Sequence, residues 1–306
     1  METSEYPNEK LTLLANDMSE RQIFFDSKRK WSVQNQPESF VRVVDVMGTD
    51  KSVTDAARVS YSGGGTKMIR KDIDLLRYLM RHQHYSPFAM CQVKLHLRMP
   101  LFVRDQLIRH DRFHWNIMSA RYSEMPEERW QLHMHNIRAQ GSDRNKQVGD
   151  GLLPQDLSER AEESYIFATQ TARESYEELL RLGVCREQAR AILPASQYTE
   201  AYVTATLGDW LQLLSQRVAP GAQQETRELA KTIEQCIFFF FPETLRAFWD
   251  YQRLAQSFSR LELHYLADML TEDAVNELKE KKDPPEGMSV NEFKEFKDKI
   301  SLLRNR

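Results

Sequence analysis

The sequence predicts an α+β fold in which a few strands sit among many helices. Three observations carry that prediction. Cys91, Val93, Leu95, Leu97 and Met99 alternate with Gln92, Lys94, His96 and Arg98, a period of two that marks a strand with one buried face. Ile69, Ile73, Leu76 and Met80 fall at i, i+4, i+7 and i+11, the face of a helix. Two long helical runs, over 158–182 and 222–241, are bounded by Gly183 and Pro242. The chain has 306 residues, room for one large domain or two small ones, and its 41% hydrophobic residues suffice for a sizeable core.

Residues 1–38 are polar and charged, with Phe24, Phe25 and Trp31 among them, and read as an accessory arm without the apolar core of a secretion signal. Residues 40–47 form a β-rich run that ends at Gly48, after which Asp50 or Ser52 is placed to cap a helix towards Arg58. Residues 60–66 contain three consecutive glycines and read as a flexible loop. The triplet follows no strand-to-helix turn, so it is not a dinucleotide fingerprint. Pro100 ends the central strand because it cannot donate to a ladder. A helical run with Leu101, Leu107 and Ile108 as its apolar positions then delivers Arg109 and His110 to a polar loop reaching Tyr122.

Residues 138–154 carry glycines and charges without periodicity and read as a mobile, substrate-facing loop. Residues 186–193 make a short helix cut off by Pro194, and 198–207 a strand rich in Tyr, Val and Thr. Asp209 is placed to cap a helix carrying Trp210, Leu213, Leu214 and Arg217. The aromatic run 238–241 reads as core. Beyond about residue 255 the chain is helical and charged, with a break at Asp283, Pro284 and Pro285.

A net charge of −3 offers no global basic field for nucleic acid or membrane, and no apolar run approaches the length of a membrane span. Cys91, Cys185 and Cys236 are too scattered for a CxxC pair or a disulfide framework and read as thiols of a reducing cytosol. The histidine pairs His82/His84, His110/His114 and His133/His135 lack a third ligand and a carboxylate frame, so no metal site is expected. Arg109, His110, Asn116, Ser119, Arg121 and Tyr122 gather guanidinium groups, an amide and hydroxyls in one short stretch. That mixture suits a phosphorylated, planar, polar ligand.

Arg109-His110, then Asp111, seven intervening residues and Ser119, resembles the Arg-His-Arg-x7-Ser signature of flavin-dependent thymidylate synthases. The flanks resemble the same family: His84-Tyr-Ser-Pro-Phe88, Pro100-Leu-Phe-Val103, Gln106 and Ser119-Ala-Arg-Tyr122, with Val44-Asp-Val-Met-Gly48 and Ala56-Ala-Arg-Val-Ser60 upstream. Downstream lie Gly183-Val184, Arg186-Glu187, Ala189-Arg190, Leu193-Pro194, Tyr198-Thr199, Arg217 and Ala222-Gln-x-Glu225. The matches span roughly residues 40 to 250.

The resemblance implies antiparallel strands packed with long helices. It divides the chain into an arm over 1–38, a catalytic domain over 39–254 and a helical extension over 255–306. It also implies a homotetramer with active sites between subunits, and the scattered thiols make a cytoplasmic location the expectation. The implied enzyme binds FAD, is reduced by NADPH, and takes a one-carbon unit from methylenetetrahydrofolate to convert dUMP to dTMP. Carried over residue by residue, Arg217 activates the uracil ring and His84 joins it as a catalytic group. Ser86, Arg109, His110 and Asp111 face the flavin, with Thr206 and Gln212 where asparagines usually contact it. Gln106, Arg109, Ser119, Ala120, Arg121, Arg190 and Arg217 meet the nucleotide. Without a GxSxG elbow, Ser119 binds a nucleotide oxygen rather than acting as a nucleophile.

The sequence also departs from the family pattern. Asp111 replaces the second arginine of the signature, His114 a serine, Ala89-Met90 a Glu-His pair, and Gly221 a histidine. These departures keep further readings open. One is a UMP, or UMP and dUMP, methylase of a specialised nucleoside pathway. Another is an inactive nucleotide-binding relative, and the weakest is a metallohydrolase built on the histidine pairs.

Overall fold

The computed structural model describes residues 30–33, 36–59, 69–141 and 149–304. The expectations for residues 1–29 and for the glycine-rich loop lie outside the described residues. The described chain up to Phe248 forms one compact unit, and the chain from Trp249 onward a second.

The first unit is built on an antiparallel sheet in the order β1-β2-β3-β7-β4. Its strands are β1 Lys30–Val33, β2 Gln36–Met47, β3 Gln92–Pro100, β4 His114–Ile117 and β7 Tyr198–Thr206. β3 lies at its centre and keeps the expected alternation: Val93, Leu95, Leu97 and Met99 are fully buried, while Gln92 and Lys94 are exposed. In register, Leu95 lies between Val43 and Val203, and Leu97 between Val41 and Ala201, so one apolar face runs across three strands. β1 pairs with β2, so part of the stretch read as an arm is sheet.

The helices of this unit are α1 Asp50–Arg58, α2 Ile69–Arg81, α3 Leu101–Leu107, α4 Gln155–Arg181, α5 Arg186–Ala189, α6 Leu207–Arg217, α7 Gln224–Phe240 and α8 Pro242–Phe248. α6 and α7 supply the core. Trp210, Leu211, Leu213 and Leu214 of α6 are buried, as are Leu229, Ile233, Ile237 and the run Phe238 to Phe241. The Trp210 indole donates to the Val93 carbonyl at 3.1 Å, fixing α6 to the middle of the sheet.

Several local expectations need correction. Thr49, not Asp50 or Ser52, is the N-cap of α1, and its backbone N–H donates to Ser52 Oγ at 3.1 Å. Asp50 instead turns its carboxylate to the start of α8, where it accepts from the Glu243 and Thr244 amides at 2.9 and 3.0 Å and from the Thr244 hydroxyl at 2.6 Å. Pro242 ends α7 and also opens α8, where its missing N–H costs nothing. Thr206, not Asp209, caps α6, accepting from the Asp209 amide at 3.2 Å. The loop expected over 111–122 contains the edge strand β4, paired with β7. The loop expected over 138–154 contains the hairpin of β5 Arg138–Gln140 and β6 Gly149–Leu152. Gly48 has φ +93°, and a Cβ there would lie 2.5 Å from Cys91 Sγ, so the turn after β2 requires glycine on both counts.

The second unit holds α9 Arg260–Met269, α10 Glu272–Glu280 and α11 Val290–Arg304, with the expected break at the two prolines. Trp249, Val275 and Phe293 are its buried apolar residues among those described, and the Tyr251 hydroxyl donates to Glu292 at 2.8 Å.

Burial pushes the Asp50 carboxyl up to about 6, against the hydrogen bonds from α8 that pull it down. A folded value above the unfolded one means that its contribution to stability is full below about pH 4 and lost as the pH rises towards 6. Denaturant unfolding of the wild type and of Asp50→Asn at about pH 4 and about pH 7 should show the wild type losing ground to the neutral variant at the higher pH. Equal differences at the two pH values would rule out a carboxylate that burial penalises.

Candidate active site

Two neighbouring cavities in the first unit share one residue, Arg217. The larger, about 690 Å³, lies between Gln106 of α3, the Trp130–Gln140 segment and the start of α7 from Gly221 to Glu228. The smaller, about 180 Å³, is lined by Arg109, His110, Asp111 and Arg112 from the loop after α3, and by Asp209, Gln212 and Arg217 of α6. The larger falls in the size range of small-molecule sites. The smaller suits a phosphate or one edge of a ring.

Helical geometry explains why Arg217 is shared. It follows Trp210 by two turns and Leu213 and Leu214 by one, so it emerges from the buried face of α6 rather than from the solvent face. Asp209, Gln212 and Gln216 leave the adjoining face and line the small cavity. The loop is pinned against this helix by an aromatic chain. The His110 ring meets Phe113 edge-on at 5.9 Å, and buried Phe113 meets Trp210 edge-on at 4.7 Å.

Arg217 Nε donates to His110 Nε2 at 3.1 Å. That bond requires a neutral imidazole with its proton on Nδ1. Burial lowers the pKa of His110, the Arg217 charge lowers it further, and Asp111 opposes both. Burial also lowers the pKa of Arg217, which stays protonated. Among the described residues no carboxylate pairs with Arg217, and its terminal amino groups have no protein partner. Two nearby cations are neutralised: Arg138 pairs with Glu225 at 2.7 Å, and Arg112 lies 3.5 Å from Asp209, while Arg109 is exposed at the small cavity. A partly buried guanidinium with free donors facing a cavity is a site for an electron-rich planar group.

The structure brings Gln106, Arg109, His110, Asp111, Gln212 and Arg217 around these two cavities. It places the other expected residues elsewhere on the chain. Ser119 and Arg121 follow β4. The Ser119 hydroxyl accepts from the Arg121 amide at 3.3 Å, Ala120 is buried beside them, and exposed Arg121 pairs with Glu187 of α5 at 3.0 Å. Arg190 is exposed on the 3-10 turn that follows α5. His84 and Ser86 are exposed in the turn after α2, with the His84 ring stacked on Tyr78 at 5.9 Å. Their turn packs against the start of α6, where a Cβ at Gly208 would sit 3.7 Å from Phe88 and 4.0 Å from the Tyr85 carbonyl. Thr206 Oγ is already engaged as the cap of α6.

Sequence reasoning missed Phe113, Trp130, Arg138 and Glu225. The segment around Glu225 was recognised without a role, whereas Trp130 and Arg138 carry no local pattern that marks them as cavity wall. Cys91 and Cys236 are buried, Cys185 is exposed, and none lines either cavity. Burial, with a smaller effect of Asp50, pushes the Cys91 thiol up to about 11, and burial raises Cys236 well above its ordinary value. Among the described residues no cluster of His, Cys, Asp and Glu has the form of a metal site.

The family described as thymidylate synthase complementing protein matches residues 42–243. Flavin-dependent thymidylate synthase of Anaplasma marginale is 40% identical over 239 residues, which is 78% of this chain and 81% of that protein. The enzyme of the same name from Thermus thermophilus is 38% identical over 263 residues, 86% of this chain and 93% of that protein. Among solved structures, the UMP/dUMP methylase PolB from Streptomyces cacaoi bound with 5-Br dUMP superposes with a TM-score of 0.65 at 30% identity, covering 70% of this chain and 96% of PolB. The same protein bound with 5-Br UMP gives 0.64 at 29% identity, covering 71% and 96%.

The capping geometry at Thr206 yields a stability prediction. Thr206→Ala should lower the free energy of unfolding by about 1 kcal/mol, and Thr206→Ser should restore most of it. Denaturation curves measure this, and a silent Thr206→Ala would mean that the hydroxyl caps nothing.

Proposed function

The chain belongs to the flavin-dependent thymidylate synthase family, and from that premise we propose that it methylates C5 of a uridine 5′-monophosphate, converting dUMP to dTMP. Methylenetetrahydrofolate supplies the one-carbon unit, and NADPH, through FAD, supplies the two electrons that turn a methylene into a methyl group. The observation that carries this reading is the unneutralised guanidinium of Arg217 at the junction of the two cavities.

Methyl transfer to C5 needs electron density at that carbon. A uracil ring seated in the larger cavity would meet the free terminal amino groups of Arg217 at O2 and N3, where negative charge develops as C5 becomes nucleophilic. A protonated fork in a partly dry site stabilises that charge without reorganising. Gln106 lines the same cavity and suits a second contact to the nucleotide.

The small cavity fits part of a flavin nucleotide. Arg109 and Arg112 supply cationic donors, Gln212 an amide and His110 a neutral ring, a set that accepts an anionic, hydrogen-bonding group. Bound there, FAD supplies the reducing chemistry of the transfer. Asp111 places an anion at the rim and weakens the attraction for a phosphate on that side.

His84 and Ser86 lie in one turn, Ser119 to Arg121 and Arg190 near α5, and Arg217 at the cavities. This separation supports a homotetramer in which each site draws groups from more than one subunit. Within that assembly His84, Ser86, Thr206 and Gln212 serve the flavin, and Ser119, Ala120, Arg121 and Arg190 the nucleotide. No described helix is long and apolar enough to cross a membrane, and three cysteines without a disulfide suit the cytoplasm. UMP is the second reading of the substrate, favoured by the similarity to PolB, which is named a UMP/dUMP methylase and was crystallised with both brominated nucleotides.

Arg217→Ala should lower single-turnover methylation of dUMP or UMP by about 10²–10³-fold while FAD, read by absorbance, stays bound. Arg217→Lys should recover only part, because a point charge does not present the same fork. Near-wild-type turnover, or loss of FAD instead, would remove Arg217 from ring activation. Replacing Cys91, Cys185 and Cys236 singly by serine should leave turnover within about tenfold. A larger drop in a folded variant would reinstate a thiol nucleophile.

A further inference from the structure

We propose that His110 is a positioning residue for Arg217: as a neutral acceptor it captures the guanidinium Nε–H and thereby turns the terminal amino groups towards the nucleotide cavity. This rests on the proposed methylase function and adds to it a role for His110 exerted through the arginine. An arginine side chain has four rotatable bonds, and among the described residues Arg217 has no ion pair to hold it. The bond at 3.1 Å from Nε to His110 Nε2 is its protein anchor. His110 lines only the small cavity while Arg217 lines both, so the guanidinium is held from behind. His110 is itself held, because its ring rests edge-on against Phe113, which rests on Trp210. The anchoring network therefore starts and ends on α6.

The arrangement works only while the imidazole is neutral. The charged groups around it are Arg217 and Asp209 on α6, and Arg109, Asp111 and Arg112 on its own loop. Burial and the Arg217 charge outweigh Asp111 and keep the pKa below its ordinary value. With the folded value depressed, the bond is present above about pH 6.5 and is lost as the pH falls through that lower value. Protonation then removes the acceptor and sets two cations side by side.

The test is calorimetric binding of dUMP and of UMP to the FAD-loaded enzyme in steps from about pH 7.5 down to about pH 4.5, alongside single-turnover methylation. The proteins compared are wild type, His110→Gln and His110→Ala. The glutamine offers a carbonyl acceptor that does not titrate. At the higher pH, His110→Ala should bind nucleotide about 10–100-fold more weakly, as expected for losing a hydrogen bond to a charged group, and His110→Gln should recover most of that loss. At the lower pH the wild type should lose more affinity than His110→Gln. The nucleotide phosphate, with a second pKa near about 6, titrates equally in both and cancels in the ratio.

An unchanged pH dependence in His110→Gln, or wild-type binding by His110→Ala, overturns the role of His110 and leaves the methylase function standing. The expected binding pattern without methyl transfer overturns the methylase function and leaves the role of His110 standing. Absence of binding by the wild type overturns both.

Discussion

The constraint on which the molecule depends is the two-faced central strand, β3. Its apolar residues are fully buried, and its neighbours on both sides repeat the same inward set in register. A slip by one residue would turn Leu95 and Leu97 to solvent and bring Lys94 and His96 into the core, so the pairing has a single low-energy solution. The two segments that form the small cavity leave this strand and the strand beside it. α3 starts at the end of β3, with its first amides donating to the carbonyls of Gln197 and Ala195 just before β7. α6 starts directly from the end of β7. Two adjacent strand ends therefore aim the loop bearing Arg109 and His110 at the helix bearing Arg217.

The electrostatics of the site follow from this placement. Arg112 and Arg138, which line the cavities, each spend their charge on a carboxylate. Arg217 does not, because its helix face is apolar for two turns and the partner it meets among the described residues is an imidazole. A cation left without an anion in a partly dry site costs desolvation energy that a surface ion pair would avoid. Such a cost is typical of a group whose partner is a ligand. The neutral state of His110 is part of the same arrangement, since a protonated ring would repel the arginine it now orients.

The site is divided along the chain. The turn with His84 and Ser86, the segment with Ser119 to Arg121, and the cavity with Arg217 are each held by contacts of their own. The first packs on the start of α6, and the second is tied to α5 by the ion pair of Arg121 with Glu187. A pair this exposed contributes little stability and gives way readily to a phosphate. The departures fall on this framework without disturbing it. Asp111 is exposed at the rim, and Gly221 lies beside the large cavity, where an added Cβ would meet nothing within 4 Å.

The sequence by itself determined the α+β class, the central strand and its buried face, the long helices, the aromatic core of α7, and a set of arginines suited to a nucleotide. Each of these is written in short-range periodicity, in proline and glycine stops, or in a spaced motif, all local properties. It did not reveal β4, the hairpin at β5 and β6, or the bond between Asp50 and the start of α8. The edge strand His114–Ile117 alternates polar and apolar over only four residues, too short a run to stand out within a polar loop, and it pairs because β7 offers a free edge. The caps at Thr49 and Thr206 were missed because Asp50 and Asp209 are the better cap formers by residue type, and only the backbone position chooses between them. Only the tertiary structure decided that Arg217 meets His110 across 107 residues. That contact depends on Phe113 seating against Trp210, a long-range packing choice on which no local pattern bears.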